Sequence, residues 1–478
     1  MSDDLEQGVG SPPKKRCYGL VDRPGAGRLL NFLDQILTLR SGESPDILLP
    51  WPRASEAESG RPETDFPAAR KIRVFDAVRE FEARGADAIL LPYFSCQAFI
   101  EEIEAETVVP IVGLMDALSA ELRRRHPAGG RIGVFCEDSL SDGDSVRESR
   151  VFERHFPEET WTLLYPARGI ADGAKEIPID WSGRLAAACR DLMARGAQSI
   201  VVGEALAAHA EDLRAQGFPV VDALRVYAEY AAAAPLAKRP KPFRIGIVGG
   251  VGPAATVDFL DKIVRNTPAS RDQEHLKVIV EQNPQIPDRT AHLLHGETDP
   301  TIALYATCKR LEAAGADVIA IPCNTAHAFV GRIQPFLSIP VVNMLRETAE
   351  CIRRDHGGCT KVGLLATSGT IASRVYHDAI VPAGFEVLVP DAENQQRVMN
   401  AIYGPRGVKA GFTAGECAED LLRALASLAW RGAEVIVLGC TELPLVLAQN
   451  EAFPVAGKTV AILDPTDILA RKCVRLGR

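Results

Sequence analysis

The sequence predicts an α/β protein made of two tandem domains, each composed of two pseudo-symmetric α/β subdomains with parallel sheets and a cleft between them. Three observations predict this class. Short β-branched apolar runs such as IGIVGG and VIVLG alternate with longer amphipathic stretches, which is typical of βα units around a buried parallel sheet. The chain repeats itself in order. Each repeat contains two segments in which a strand is followed by a polar motif.

Composition and charge argue against several classes of function. The formal net charge of −9 disfavours a nucleic-acid partner and an anionic membrane surface. No apolar run is long enough to span a bilayer. The first residues are polar and lack the apolar region of a signal peptide, so we expect a disordered tail at 1–15 and a cytoplasmic protein. The 11 cysteines are scattered without zinc-ligand spacing, which predicts free thiols and no metal site.

Internal repeats define the domain organisation. Phe81–Pro92 (FEARGADAILLP) and Leu311–Pro322 (LEAAGADVIAIP) are identical at seven of twelve positions. Further matches, such as RGAQSIVVG with RGAEVIVLG, follow in the same order, which indicates a tandem duplication. A stretch rich in alanine, proline and lysine joins the copies. We place the domains at 16–236 and 243–478, with a linker at 237–242.

Two cysteines follow buried strands at matching junctions of the second half. VIAIP leads into Cys323, Asn324 and Thr325, and VIVLG leads into Cys440 and Thr441. If a helix starts at each junction, its free N–H groups and its dipole would lower the thiol pKa. The same amides, with the Asn and Thr side chains, can grip a carboxylate. A lone cysteine after a strand is usually a core residue, but two in the same C-[NT] motif favour a reactive pair.

These motifs resemble the aspartate/glutamate racemase superfamily, and within it the aspartate-racemase branch. The resemblance covers nearly all of residues 244–478. The matching motifs are GIVGGVGPAAT, NPQIPDRT, PCNTAHAF, LLATSGT, GPRGVKAG and LGCTELP. The resemblance implies a cofactor-independent isomerase that interconverts L- and D-aspartate, with glutamate as the second choice. It implies that Cys323 and Cys440 abstract and return the Cα proton on opposite faces.

The resemblance also implies which residues hold the substrate. Arg289 and Lys409 match the arginine and lysine that hold the side-chain carboxylate, and a surface ion pair is the alternative for each. Thr367 and Asn283 are lesser candidates, with an N-cap and a turn residue as their alternatives. The supporting candidates are His327 beside Cys323, Glu442 beside Cys440, and Gly250 in the GGVGP turn. His327 would orient Cys323 or assist its proton transfer, unless it is a buried, hydrogen-bonded histidine.

The first half keeps the scaffold but lacks this chemistry. Tyr93, Phe94 and Ser95 stand where the second half has Cys323, Asn324 and Thr325, and Glu204, Ala205 and Leu206 replace Cys440, Thr441 and Glu442. SRVF from Ser149 still matches SRVY from Ser373, while residues 22–26 (DRPGA) replace the glycine turn. A tyrosine, with an ordinary pKa near 10, is a poor substitute for a thiolate. We therefore expect residues 16–236 to form a degenerate, catalytically inactive racemase-like domain.

The sequence leaves partners and rival functions open. The expected partner is a small acidic amino acid, with neither nucleic acid nor membrane. Family members are commonly homodimers, so we expect the first half to serve as a built-in partner in an intrachain pseudo-dimer. Two alternatives stay open: the chain forms a homo-oligomer, or the altered cleft of the first half binds an effector. The rival functions are a broad-specificity amino-acid racemase, another isomerase or a decarboxylase of the superfamily, and a non-catalytic amino-acid sensor. A dinucleotide-binding protein is disfavoured because GIVGGVGP lacks the GxGxxG spacing.

Overall fold

The chain divides into two compact units, Met1–Lys241 and Pro242–Arg478. The computed structural model describes residues 16–21, 45–50, 67–135, 146–166, 181–234 and 236–478. The predicted tail at 1–15 and the turn at 22–26 lie outside these residues. Within the described residues, no helix has the length and apolarity needed to cross a membrane.

The first unit contains two parallel sheets in its described part. The strands are β1 (Cys17–Leu20), β2 (Asp46–Leu48), β3 (Ala88–Leu91), β4 (Ile111–Gly113), β5 (Gly130–Phe135), β6 (Trp161–Leu164), β7 (Ser199–Val202) and β8 (Val220–Asp222). They form sheets of order β2-β1-β3-β4 and β6-β5-β7-β8. The helices are α1 (Pro67–Ala83), α2 (Phe94–Gln97), α3 (Ile100–Glu104), α4 (Leu114–Arg125), α5 (Val146–His155), α6 (Trp181–Ala194), α7 (Ala210–Ala215) and α8 (Ala223–Ala233).

The second unit repeats this plan with one addition. Its strands are β9 (Arg244–Gly249), β10 (Lys277–Gln282), β11 (Val318–Ala320), β12 (Val341–Val342), β13 (Lys361–Ala366), β14 (Glu386–Leu388), β15 (Val435–Gly439), β16 (Asn450–Val455) and β17 (Lys458–Leu463). The sheets have the orders β10-β9-β11-β12 and β14-β13-β15-β17-β16. β16 pairs antiparallel with β17, whereas the other strand pairs of the unit are parallel.

Ten helices cover the sheets of the second unit. They are α9 (Pro253–Asn266), α10 (Arg289–His295), α11 (Thr301–Ala313), α12 (His327–Ile333), α13 (Met344–Asp355), α14 (Ser368–Ala372), α15 (Val375–Ile380), α16 (Ala392–Tyr403), α17 (Glu416–Trp430) and α18 (Pro465–Leu476). The inner strands β9, β13 and β15 are buried almost along their whole length because helices pack on both faces of each sheet. This explains their continuous apolar runs.

The strand order is the same in every sheet once the extra edge strand β16 is set aside. In each sheet the second strand in chain order lies on one side of the first strand, and the third strand lies on the other side. Ligands of such sheets bind at this switch point, outside the carboxyl ends of the strands. The last helix of each unit crosses back to the first subdomain. α8 begins at the N-cap Asp222 and packs on α4, and α18 begins at the N-cap Asp464 and packs on α9 and α13. The predicted fold class is confirmed.

Candidate active site

The two cysteines lie at the carboxyl edges of the two sheets in the second unit. Cys323 follows β11 across Ile321 and Pro322, and Cys440 follows β15 directly. Both are buried, with 7% and 6% of their surface exposed. The Cys323 loop contacts the other subdomain, because the Tyr376 hydroxyl of α15 donates to Asn324 Oδ1 at 2.6 Å. Each sheet of the second unit thus carries a buried cysteine at its carboxyl edge.

The expected helix starts at these cysteines are absent. α12 begins only at His327, and Cys440 leads into a 3₁₀ turn, Leu443–Leu445. The expectation that a helix dipole lowers the thiol pKa is wrong for Cys440. Burial raises the pKa of this thiol well above its usual value, and the Glu442 carboxylate raises it further, while Lys409 opposes the shift.

Glu442 links Cys440 to Lys409. The Cys440 thiol donates to Glu442 Oε2 at 3.1 Å, and Lys409 Nζ donates to Glu442 Oε1 at 2.6 Å. The Thr441 hydroxyl also reaches Oε2, at 3.4 Å. Burial alone would lower the Lys409 pKa, but Glu442 and Cys440 raise it, so the ammonium stays charged. The positive charge of Lys409 is thus balanced by the buried Glu442 carboxylate, a pairing that the sequence motif did not predict.

The glycine turn after β9 brings its backbone close to this cluster. Gly250 has φ +85°, and a Cβ there would lie 2.4 Å from the Asn283 carbonyl carbon. A Cβ on Gly252 would lie 2.6 Å from Glu442 Oε1. The Gly250 amide donates to Thr256 Oγ1 at 3.2 Å, which fixes the turn. Only glycine fits at these positions, because each combines a positive φ with a close approach.

Arg289 is brought next to Cys323. It is the first residue of α10, whose N-cap is Asp288, and its side chain is buried. Nη1 donates to the carbonyls of Ile286 at 3.3 Å and Pro287 at 3.1 Å, whereas Nε has no partner among the described residues. Burial acts to lower the pKa of Arg289, but the neighbouring Cys323 and Asp288 raise it, with a net upward shift. The guanidinium is therefore charged and partly unsatisfied beside the thiol.

Four threonine hydroxyls form a cluster between the two subdomains. Thr325 contacts Thr367 at 3.2 Å and Thr370 at 2.7 Å, and the Thr290 hydroxyl donates to Thr367 at 3.2 Å. Thr367 is also the N-cap of α14, where its Oγ1 accepts from the Thr370 amide. Thr367 is therefore the N-cap that was its alternative interpretation, and its role in substrate binding stays a prediction. Sequence reasoning missed Thr290 and Thr370, although each lies within a quoted motif.

Asn324 is buried with half of its amide unused. Its Oδ1 accepts from Tyr376, while its Nδ2 has no partner among the residues that the structure describes. A buried N–H without an acceptor costs free energy unless a ligand or water satisfies it. It is therefore a donor available to a carboxylate in the cleft. Tyr376 was missed as a site residue, although the SRVF/SRVY repeat contains it.

His327 and Asn283 are held by protein groups. His327 Nδ1 lies 2.9 Å from the Cys323 carbonyl, and the Met344 amide donates to Nε2 at 3.3 Å. Burial lowers the His327 pKa, so the ring is neutral with its proton on Nδ1. Asn283 donates to Thr307 Oγ1 at 3.0 Å and accepts from the Gln285 amide at 3.2 Å. The geometry favours the structural alternative for both residues.

The described residues contain no group of three or more His, Cys, Asp or Glu side chains that could hold a metal ion.

The matching edge of the first unit is filled by aromatic rings. Phe94 packs against Phe152 with ring centroids 4.9 Å apart. A Cβ on Gly203, at the end of β7, would lie 2.8 Å from the Phe94 ring. Tyr93 is buried. The side chains of Ser95, Glu204 and Ala205 lie outside the described residues. The aromatic pair thus joins α2 to α5, where the second unit has the polar pair of Asn324 and Tyr376.

Comparisons with known proteins relate both units to one family. A family model described as Asp/Glu/Hydantoin racemase matches residues 47–231 and 248–473, one segment in each unit. A broad specificity amino-acid racemase of Bacillus subtilis, RacX, is 29% identical over 238 residues, which is 48% of this chain and 96% of that protein. A glutamate racemase of Roseiflexus is 31% identical over 37% of this chain and 63% of its own length. The solved aspartate racemase of Picrophilus torridus is 27% identical, with a TM-score of 0.43, over 49% of this chain and 94% of its own. The two matched segments confirm the tandem duplication.

Proposed function

The chain belongs to the Asp/Glu/hydantoin racemase family, and on that premise we propose that its second unit interconverts the L- and D-forms of an acidic amino acid with Cys323 and Cys440 as the two acid–base groups. The observation that carries the proposal is the placement of two buried cysteines at the carboxyl edges of the two sheets of one unit, with Asn324, next to Cys323, hydrogen-bonded to Tyr376 of the other subdomain. Aspartate is our first choice of substrate and glutamate the second.

The proposed reaction needs a base on one face of Cα and an acid on the other. A thiolate takes the Cα proton, and the thiol of the other cysteine donates its proton to the opposite face. The intervening carbanion places charge on the α-carboxylate, so donors aimed at that group lower the barrier. Asn324 Nδ2 and the threonine cluster are the candidates for this role. Holding the amino acid between two fixed sulfur atoms supplies the proximity that the step requires.

Arg289 supports recognition of a side-chain carboxylate, because its guanidinium is buried, charged and partly unsatisfied. Lys409 can also contribute to this recognition if its ammonium binds the substrate carboxylate while it stays paired with Glu442. The same pairing favours a second candidate, a broad-specificity racemase, since Glu442 cancels the charge of Lys409. The similarity to RacX, named a broad specificity amino-acid racemase, also supports this candidate.

The test is incubation of the full chain with single L- or D-amino acids in deuterated water, followed by chiral chromatography and mass spectrometry. We expect both enantiomers to form and deuterium to enter at Cα, with aspartate fastest. Cys323→Ser and Cys440→Ser should each lower the rate at least about a hundredfold, because a hydroxyl is a far weaker acid than a thiol. Cys359→Ser is the matched control: Cys359 precedes β13, at the amino end of its sheet.

Two outcomes would contradict the proposal. Absence of deuterium exchange with aspartate, glutamate and every other common amino acid would favour the sensor alternative. Full activity in either cysteine variant would exclude the two-thiol mechanism. We also propose that the first unit is inactive, so the double variant Cys323→Ser/Cys440→Ser should show no racemisation. Residual exchange in that variant would place catalysis in the first unit.

A further inference from the structure

Arg289 lies between two residues that contact the other subdomain of its unit. On the buried side, the Thr290 hydroxyl donates to Thr367 Oγ1 at 3.2 Å, and Thr367 directly follows β13 of the second sheet. On the exposed side, the Tyr403 hydroxyl donates to Asp288 Oδ2 at 3.3 Å, and Tyr403 is the last residue of α16. Contacts with the other subdomain therefore hold Arg289 from both of its neighbours in sequence.

Asp288 uses its two carboxylate oxygens for different contacts. Oδ1 accepts from the Ala291 amide at 2.8 Å and so caps α10, the helix that begins with Arg289. Oδ2 accepts from the Tyr403 hydroxyl. Because one carboxylate binds both the helix start and the phenol, the Tyr403 hydroxyl fixes the first turn of α10. It holds Arg289 through Asp288.

The ring of Tyr403 contacts the second candidate for binding a side-chain carboxylate. Lys409 Nζ lies 5.3 Å from the centre of the ring, within the range of a cation–π interaction. The same ammonium donates to Glu442 Oε1 at 2.6 Å. Lys409 belongs to the irregular segment 404–411, which follows α16. One side chain thus contacts Lys409 with its ring and the residue next to Arg289 with its hydroxyl.

We propose that Tyr403 is a positioning residue that presents Arg289 and Lys409 together to the side-chain carboxylate of the substrate. The proposal rests on the proposed function for the identity of this ligand. The role is indirect, because the hydroxyl acts through Asp288 and the ring acts on Lys409. Tyr403 therefore affects how tightly the amino acid binds, and the two cysteines keep the proton transfer.

The exposure of Tyr403 suits a contact that opens for the substrate. Tyr403 is 39% exposed, whereas Arg289 is 8% exposed. Water competes for an exposed hydrogen bond, so breaking that bond costs little free energy. The bond between Tyr403 and Asp288 can therefore break when an amino acid enters and form again once the amino acid is bound. Its exposure also limits the expected effect of losing it to about tenfold.

The first experiment is steady-state racemisation of aspartate by the full chain. Tyr403→Phe removes the hydroxyl and keeps the ring. It should raise KM about five- to tenfold with kcat within about twofold, because the side-chain carboxylate is held alike in the ground state and the transition state. Tyr403→Leu also removes the ring from Lys409 and should raise KM further. Tyr305→Phe, which removes a phenol hydroxyl from α11, is the matched control and should not change KM.

A double-variant cycle tests whether the hydroxyl acts through Asp288. Asp288→Asn keeps a side chain that can cap α10, but it gives the Tyr403 hydroxyl a neutral and weaker acceptor. Its effect on KM should be smaller in the Tyr403→Phe protein than in the wild type, because the shared bond is already lost there. Equal effects of Asp288→Asn in both proteins would overturn the link between Tyr403 and Arg289.

Hydrogen exchange of the substrate-free protein tests the same contacts without turnover. In Tyr403→Phe the backbone amides of α10 should exchange about fivefold faster than in the wild type, because the helix start loses a hydrogen bond. In Tyr403→Leu the amides of residues 404–411 should also exchange faster, because Lys409 loses its ring contact. Tyr305→Phe should change neither segment.

Unchanged exchange of α10 in folded Tyr403→Phe would overturn the proposal, and so would a loss confined to kcat. Faster exchange in the variants of a chain that does not racemise any amino acid would contradict the proposed function alone. Racemisation with exchange and KM both unchanged in Tyr403→Phe would contradict this inference alone.

Discussion

The two units of this chain share a strand order, and they differ in a contact that joins the two subdomains within each unit. In the second unit the Tyr376 hydroxyl donates to Asn324 at 2.6 Å, and in the first unit the matching residues, Phe152 and Phe94, pack ring to ring at 4.9 Å. Replacing only one partner would leave a buried polar group without a hydrogen bond, which costs free energy. A paired exchange keeps the subdomains packed. The difference teaches that the scaffold tolerates the loss of the polar site when both partners change together.

A second contact is the same in both units although the residue differs. Gln97 matches His327 in the repeat, and its Nε2 donates to the carbonyls of Leu91 at 2.9 Å and Tyr93 at 3.4 Å. Its Oε1 accepts from the Leu114 amide at 3.1 Å, as His327 Nε2 accepts from Met344. The first unit lacks the cysteine pair and still keeps this contact, so the contact stabilises the fold. His327 therefore holds the loop of Cys323 through its backbone.

The largest expected effect comes from giving the second unit the aromatic pair of the first. The double variant Asn324→Phe/Tyr376→Phe should lower racemase activity by about a thousandfold or more, because it removes the unpaired amide donor and fills the cleft. Thermal unfolding should show a folded protein, since the first unit accommodates the same pair. Activity within tenfold of wild type would break the comparison, because it would mean that the polar pair is not part of the site.

The next effect separates the two roles considered for His327. His327→Ala should lower the free energy of unfolding by about 2 kcal/mol, because the Met344 amide and the Cys323 carbonyl lose their partner. His327→Gln should keep stability close to wild type and leave kcat and the pH profile of the reaction unchanged, as the first unit already uses glutamine there. Denaturant unfolding and steady-state kinetics measure both. A large loss of kcat in a stable His327→Gln protein would instead indicate direct proton transfer by the ring.

The sequence was sufficient for the parts of the site that depend on chain order. The repeats and the buried strands predict the sheets and place Cys323 and Cys440 at the strand ends, because a strand that precedes a motif brings that motif to the carboxyl edge. It could not predict contacts set by tertiary packing. The pairing of Lys409 with Glu442 joins residues far apart in sequence, and the absence of a helix start at Cys440 depends on the turn that follows. The upward shift in the Cys440 pKa also depends on tertiary packing, because burial is its largest cause and the Glu442 carboxylate adds to it.

A smaller effect is expected from changing one member of the polar pair alone. Tyr376→Phe leaves Asn324 Oδ1 buried without its donor, which should lower the free energy of unfolding by about 1–2 kcal/mol. We expect KM for the amino acid to rise more than kcat falls, because the amide can turn away from the substrate. The matching change in the first unit, Phe152→Tyr, should also destabilise, since its hydroxyl would face Phe94. A neutral effect of both substitutions would show that the polar and aromatic pairs are interchangeable one residue at a time.

The smallest effect is a difference in how stability depends on pH. Burial lowers the His327 pKa in the folded state below the ordinary value of 6.5. The unfolded chain then binds a proton that the folded chain does not, so stability is full above that value and is lost as the pH falls below it, by at most about 1.4 kcal/mol per pH unit. His327→Gln removes this contribution, and Gln97 makes none in the first unit. Unfolding of wild type and variant between about pH 8 and pH 5 should therefore diverge only on the acid side. The lowered pKa of His377 is common to both proteins, so it cancels in their difference. Parallel curves would mean that His327 keeps an ordinary affinity for its proton and is not locked in the neutral form that its two backbone contacts require.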